Sequence, residues 1–242
     1  MFGPITVLKN AYVQMLMVGD NNQGACYLDD AGQPGPIPQS TYMAGWLIAG
    51  AQHPTGDVLM IGLGSGTGAV ALLDQFPSIN VTVVEIDPAV VATASEHFPL
   101  LNKYQDEGRL HIVTSDASEH LVEAMQRGDH WDFACLDAYE SNYELHMPDD
   151  LLGLLSLCCD ALYLNVICLD DHLDYVARRL GEWGLTVHAI LDTGSSGLRN
   201  FVIATEAVGR AHQFYAGNES EAASTVRANV AAMLDQHAAQ TA

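Results

Sequence analysis

At 242 residues, 49% of them hydrophobic, the chain can bury one large core, alone or with a small appendage. A formal net charge of -21, with two lysines (Lys9 and Lys103) against seven arginines, opposes phosphate backbones and anionic bilayers. Nucleic acid and membrane are therefore set aside as partners, and the acidity is read as a highly solvated surface that also favours cationic small molecules.

Five cysteines (Cys26, Cys135, Cys158, Cys159, Cys168) contain no CxxC pair and fit reduced thiols. No basic-then-apolar leader opens the sequence, and no apolar run reaches about 18 residues. The expectation is a soluble, cytoplasmic protein.

Taken in chain order, residues 1–38 alternate in the strand manner. "AYVQMLMVGDN" and "GACYLDDAGQ" are joined through Asn21-Asn22-Gln23-Gly24 as a small N-terminal β-hairpin unit. "PGPIPQ" then imposes extended, turn-rich chain. "STYMAGWLIAGAQH" reads as a helix capped by Ser40 or Thr41. Residues 39–210 form the main α/β domain. Its strands are "DVLMIGLG", "NVTVVEID", "LHIVTSD", "WDFACLDAY", "YLNVICLD", "LTVHAILD" and "RNFVIATE". The helices between them begin near Thr67 and over "PAVVATASEHF", "ASEHLVEAMQRG", "DDLLGLLSLCCDAL" and "HLDYVARRLGEWG". Such alternation predicts an open, doubly wound, Rossmann-like seven-stranded sheet whose ligand lies outside the carboxyl ends of the strands. Residues 211–242 read as a helical tail.

The segment "VLMIGLGSGTGAVALL" places Gly62, Gly64, Gly66 and Gly68 between a buried strand and a helix, where backbone passes close to a ligand. Alone it is a weak signal, since "GSGTGA" also satisfies a loosened dinucleotide pattern. Glu85 stands 23 residues after Gly62 at the tip of the next strand, where a carboxylate can accept both ribose hydroxyls of an adenosine. Asp116 and the small Ala117 end the third strand, suited to an adenine amino group and its ring. Asp116 is equally suited to cap the helix that follows. Asp137 ends the fourth strand, beside the sulfur end of such a ligand. No histidine spacing suits a metal, and none is expected.

The order "VLMIGLGSGTG", "VVEIDPAVVATASEHFP", "SDASEHL" and "WDFACLDAYE" resembles the spermidine/spermine synthase family, aminopropyltransferases on the class I S-adenosylmethionine-dependent methyltransferase fold. The resemblance covers roughly residues 7–205 and includes the N-terminal hairpin, with Tyr42 nine residues after Gln33. It implies that Gln33, Gly62, Gly64, Ser65, Gly66, Glu85, Ile86, Asp116, Ala117 and Asp137 hold decarboxylated S-adenosylmethionine. It implies that Tyr42, Tyr139 and Glu140 meet an amine substrate, and that Asp137 anchors the amine while Glu140 takes its proton. A homodimer formed through the N-terminal hairpins is also implied.

The sequence departs from that family at several places. Ser65 stands where an Asp recognises the donor amine, Tyr12-Val13 replaces a Tyr-Gln pair, Met43 and Ala44 follow Tyr42, and "DTGSSG" lies where a late tyrosine is expected. Three readings stay open: aminopropyl transfer, methyl transfer from intact S-adenosylmethionine, and a non-catalytic nucleoside binder. "YESNYELHMPDD", with Tyr143 and His146, is the expected lid.

Overall fold

The structure is a computed structural model that describes residues 3–33, 43–138, 149–168, 178, 180–181, 185–192 and 199–207. It opens with β1 (Ile5–Lys9), β2 (Val13–Val18) and β3 (Asn21–Tyr27), an antiparallel sheet in the order β1-β2-β3. This corrects the expected hairpin in two respects. A third strand precedes it, and the β2–β3 turn falls at Gly19-Asp20 rather than at Asn21–Gly24. Gly19 has φ +59° and Val18 pairs with Asn21, so the tight two-residue turn uses the glycine, while Asn21 and Asn22 pair in the ladder and the register shifts at Gln23-Gly24, opposite Leu16.

The main domain follows: α1 (Met43–Gln52), β4 (Asp57–Ile61), α2 (Thr67–Gln75), β5 (Asn80–Glu85), α3 (Pro88–His97), α4 (Leu100–Asp106) and β6 (Leu110–Thr114). It continues through α5 (Ala117–Arg127), β7 (Trp131–Leu136), α6 (Asp149–Cys158), β8 (Cys159–Cys168), β9 (Leu185–Asp192) and β10 (Arg199–Ala207). Seven strands form one sheet in the order β6-β5-β4-β7-β8-β10-β9. The first five are parallel, and β10 runs antiparallel to both β8 and β9. Chain order reverses between β4 and β7, which opens a crevice at their carboxyl ends.

Local chemistry explains the boundaries. Asp87 accepts from Ala89 N with Pro88 at the first helical position, and so starts α3. Gly128, with φ +80°, ends α5 in a left-handed cap. The helix expected through Leu162 stops at Cys158 instead. From Cys159 the backbone is claimed by β7 (Trp131 opposite Cys159) and soon by β10 (Glu206 opposite Ala161), and these two ladders override the helical spacing of the side chains. The short α4 was not anticipated; it buries Leu101 and Tyr104, three residues apart.

Two buried clusters lie on the two faces of the sheet. One joins Trp46, Leu72 and Phe76 to Phe133; the other joins Leu121, Leu152 and Leu155 to Leu59 and Leu136. Each such side chain contributes about 1.5–3 kcal/mol on full burial. Leu16, Val18 and Cys26 of the N-terminal sheet belong to the first cluster, so that sheet shares the core of the main domain. Cys26, Cys135, Cys158 and Cys159 are buried free thiols. No helix among the described residues is long and apolar enough to cross a membrane. The N-caps expected at Ser40 and Thr41, the tail and most of the helix expected over 172–184 lie outside the described residues.

Candidate functional site

Parallel register brings the predicted strand-tip residues to one edge. Ile61 is level with Val84 and with Leu136, and Glu85 with Thr114, so Gly62, Glu85, Asp116 and Asp137 emerge side by side. The edge is tied by backbone bonds: Gly62 N donates to Val84 O, Ser115 N to Glu85 O and Asp137 N to Ile61 O, at 2.9, 3.1 and 2.9 Å. At about 4.8 Å per strand, the four tips span about 14 Å.

Glu85 organises the glycine loop. Its Oε2 accepts from Leu63 N and its Oε1 from Asp87 N, each at 2.9 Å, so one carboxylate pins the loop and the entry to α3 together. Each oxygen keeps acceptor capacity for a further donor. Ile86 beside it is 51% exposed, a large apolar surface at the strand tip. Asp116 is exposed and uses Oδ1 to accept from Ser118 N and Glu119 N at 2.9 and 3.1 Å. It therefore caps α5, and Ala117 forms the first residue of that helix.

The loop glycines answer first to neighbouring protein. A Cβ at Gly62 would lie 2.5 Å from Asp137 O, and one at Gly64 would lie 2.1 Å from Gln23 O. Gly66, with φ +75°, is the N-cap of α2 and supplies no side-chain cap. Ser65 is 1% exposed, with Oγ 3.2 Å from Thr67 Oγ1 and N donating to Gln23 O at 3.2 Å. β3 thus lies directly on the loop. Ser65, expected among the donor-binding residues, is packed under strand β3.

Asp137 is the chemically distinctive residue of the edge. Asn165 Nδ2 donates to its Oδ1 at 2.7 Å, and no described group holds Oδ2. The residue is half-buried, and the protein packed around the carboxyl pushes it up to about 6, against the lowering influence of the Asn165 bond. Cys135, two residues earlier, is raised well above the ordinary thiol range by burial and by the nearby Asp137 charge.

Gln33 is exposed, in a turn in which its N donates to Asp29 Oδ1. Tyr42, Tyr139, Glu140, Tyr143 and His146 lie outside the described residues. Among the described residues, no group of three His, Cys, Asp or Glu side chains could hold a metal. Two participants were missed from sequence. Asn165 carried a signal, a lone amide inside the apolar run "LYLNVIC"; Gln23, acting through its carbonyl, carried none. An apolar groove between α5 and α6, lined by Val122, Leu154 and Leu157, does not include the strand-tip acids.

No family model matches the chain. It is 33% identical over 95 residues to a polyamine aminopropyltransferase of Vibrio vulnificus, across 39% of this chain and 29% of that protein. It is 30% identical over 142 residues to an eEF1A lysine and N-terminal methyltransferase homolog of Drosophila melanogaster, across 52% of this chain and 20% of that protein. The matches thus span less than a third of these relatives' length. Among solved structures, a probable spermidine synthase from Corynebacterium glutamicum superposes with a TM-score of 0.63 at 15% identity, over 92% of this chain and 81% of that one. Human methyltransferase-like protein 13, solved with SAH, superposes with a TM-score of 0.55 at 17% identity, over 82% and 90%. The chain has the class I S-adenosylmethionine-dependent methyltransferase fold.

Proposed function

We propose that the chain is a transferase that alkylates an amine with an S-adenosyl donor, first of all an aminopropyltransferase using decarboxylated S-adenosylmethionine and a di- or polyamine. The observation that carries this reading is Asp137: a half-buried carboxylate at the switch point of the sheet, beside the glycine loop, with no described group on Oδ2. A span of about 14 Å from Asp116 to Asp137 suits an extended adenosyl ligand, with adenine toward Asp116 and Ile86, ribose at Glu85 and sulfur near Asp137.

The chemistry needs such a group. The sulfonium leaves as a neutral thioether without acid assistance. The amine, with a free pKa near 10, arrives as an ammonium and must lose its proton before attack. Asp137 is ionised above about pH 6, so at neutral pH it can hold the ammonium in line with the carbon on sulfur. One proton passes from the ammonium to Asp137 or to Glu140; the freed nitrogen lone pair then forms the new C–N bond as the C–S bond gives its electrons to sulfur. The low-dielectric crevice strengthens this pairing.

Methyl transfer from intact S-adenosylmethionine to an amine is the second reading, favoured by Ser65. Ser65 carries no charge to pair with the free amine of a decarboxylated donor. The two readings separate by product: methylthioadenosine for aminopropyl transfer, S-adenosylhomocysteine for methyl transfer. Incubation with each donor and a panel of diamines, polyamines and lysine peptides decides between them. No product with either donor rejects both. A homodimer through the N-terminal sheet is likewise proposed; the exposed Leu8, Tyr12 and Tyr27 on that sheet support it, and sedimentation tests it.

A further inference from the structure

Asp137 does not stand alone at the end of β7. β8 is its parallel neighbour, with Leu136 opposite Leu164, so the next residue of β8 is level with Asp137. That residue is Asn165, 6% exposed and flanked by the fully buried Leu164 and Val166. Its amide reaches one carboxylate oxygen, Oδ1, at 2.7 Å, a charge-assisted length.

We propose that Asn165 is the positioning residue of the site: by holding Oδ1 it fixes the Asp137 carboxylate, reserves Oδ2 for the incoming ammonium and keeps the carboxylate available in its ionised form. The inference rests on the reading of Asp137 as the amine's anchor and deepens it. A carboxylate accepting a donated hydrogen bond is stabilised as the anion, which offsets part of what burial costs it. The direction agrees with the effects on Asp137, where packing raises the carboxyl and the Asn165 bond lowers it. Among the described residues, the groups around the carboxylate leave that role to Asn165. The strand β7 adds the Cys135 thiol, β4 contributes the backbone of Ile61 and Gly62, and the acids Glu85 and Asp116 stand one and two strands beyond β4. Asn165 itself is not expected to touch the substrate.

The test begins with the intact wild-type protein. The side-chain amide protons of Asn165, followed by NMR across pH 4–8, should titrate with the midpoint of the Asp137 carboxyl, and the transition should vanish in Asp137→Asn. Asn165→Leu, close in shape and without the donor, should move the Asp137 midpoint upward by about one pH unit, a tenfold change in its acid constant. The acid limb of the rate profile should move with it, and the KM for the amine should rise, while the dissociation constant for methylthioadenosine stays within twofold. A merely structural asparagine would lower stability without moving that midpoint. An Asn165 amide indifferent to Asp137 ionisation, or an unmoved midpoint in a folded Asn165→Leu, overturns the proposal. If Asn165→Leu does not fold, the wild-type titration alone decides. Absence of turnover with both donors would reject the functional reading instead, and the titration would still report whether Asn165 governs the carboxylate.

Discussion

Gly24 of β3 lies so close to Ser65 of the glycine loop that a Cβ on Gly24 would come within 2.1 Å of the serine Oγ. With φ +138° at Gly24, a side chain there meets both a steric and a conformational penalty. Gly24→Ala should therefore destabilise the chain by about 2–4 kcal/mol. Hydrogen exchange should show the loss concentrated at residues 21–27 and 62–66; uniform loosening would contradict the contact.

Ser65→Asp tests the same contact from the other side. If the position read the donor's amine, an aspartate would restore selectivity for decarboxylated S-adenosylmethionine. The burial of Ser65 predicts otherwise. An unpaired carboxylate under β3 should cost about 3–5 kcal/mol and weaken the binding of both donors. Calorimetry with each donor checks this, and a gain in selectivity would refute it.

Asp116 serves as a cap and is proposed to read adenine, and two substitutions separate the roles. Asp116→Asn keeps the capping oxygen and should leave stability within about 0.5 kcal/mol, while weakening methylthioadenosine binding several-fold. Asp116→Ala removes both and should lose about 1 kcal/mol of helix stability as well. Equal affinity in wild type and Asp116→Asn would leave Asp116 as a cap alone.

Glu85→Gln replaces one of two acceptors that face backbone N–H groups by a donor. The loop end at Leu63 or the turn at Asp87 then loses its partner, at a cost of about 1–3 kcal/mol. Donor affinity should fall at least tenfold, readable by calorimetry beside a denaturant melt. Unchanged affinity would sever the loop from the ligand.

Two groups give stability opposite dependences on pH. Asp137 has its carboxyl raised from 3.8 to about 6, so its unfavourable contribution is absent below about pH 4 and complete above 6, about 3 kcal/mol in full. His53, packed 5.2 Å from Phe133, is lowered from 6.5 to about 4 by burial, opposed by Asp132, so its cost is absent above 6.5 and complete below 4. Between pH 4 and 6, folded and unfolded chains bind the same number of protons at this pair, and the slopes cancel. Asp137→Asn should gain up to about 3 kcal/mol over wild type at pH 7 and little at pH 4.5. Urea unfolding at both values checks the sign. His53→Gln should show the reverse trend.

The sheet and its acids were legible because they obey local rules. β4 reads as an apolar run buried on both faces; Glu85 ends β5, and Asp137 and Asp116 follow just past the ends of β7 and β6, where the hydrophobic pattern stops. The competing roles of Asp116 as cap and as ligand were also visible, and the capping bonds are present. What sequence left hidden is non-local. The Cys158/Cys159 boundary is set by ladders to β7 and β10, and the cover over Ser65 comes from a carbonyl at Gln23, an atom that every residue possesses. Asn165 becomes meaningful only through the register that sets it level with Asp137.

The packing of β3 on the loop also bears on the order in which the chain is made. Strands β2 and β3 leave the ribosome well before the partners they bond: Gln23 O accepts from Ser65 N, and Gln14 Nε2 donates to the carbonyl of His97, 83 residues further on. Until the segment carrying Trp46, Leu63 and Leu72 has emerged, Leu16, Val18 and Cys26 have no core to enter. During synthesis the N-terminal sheet is thus an apolar surface waiting for its cover, and slow elongation across residues 60–100 would lengthen its exposure to aggregation or to chaperones.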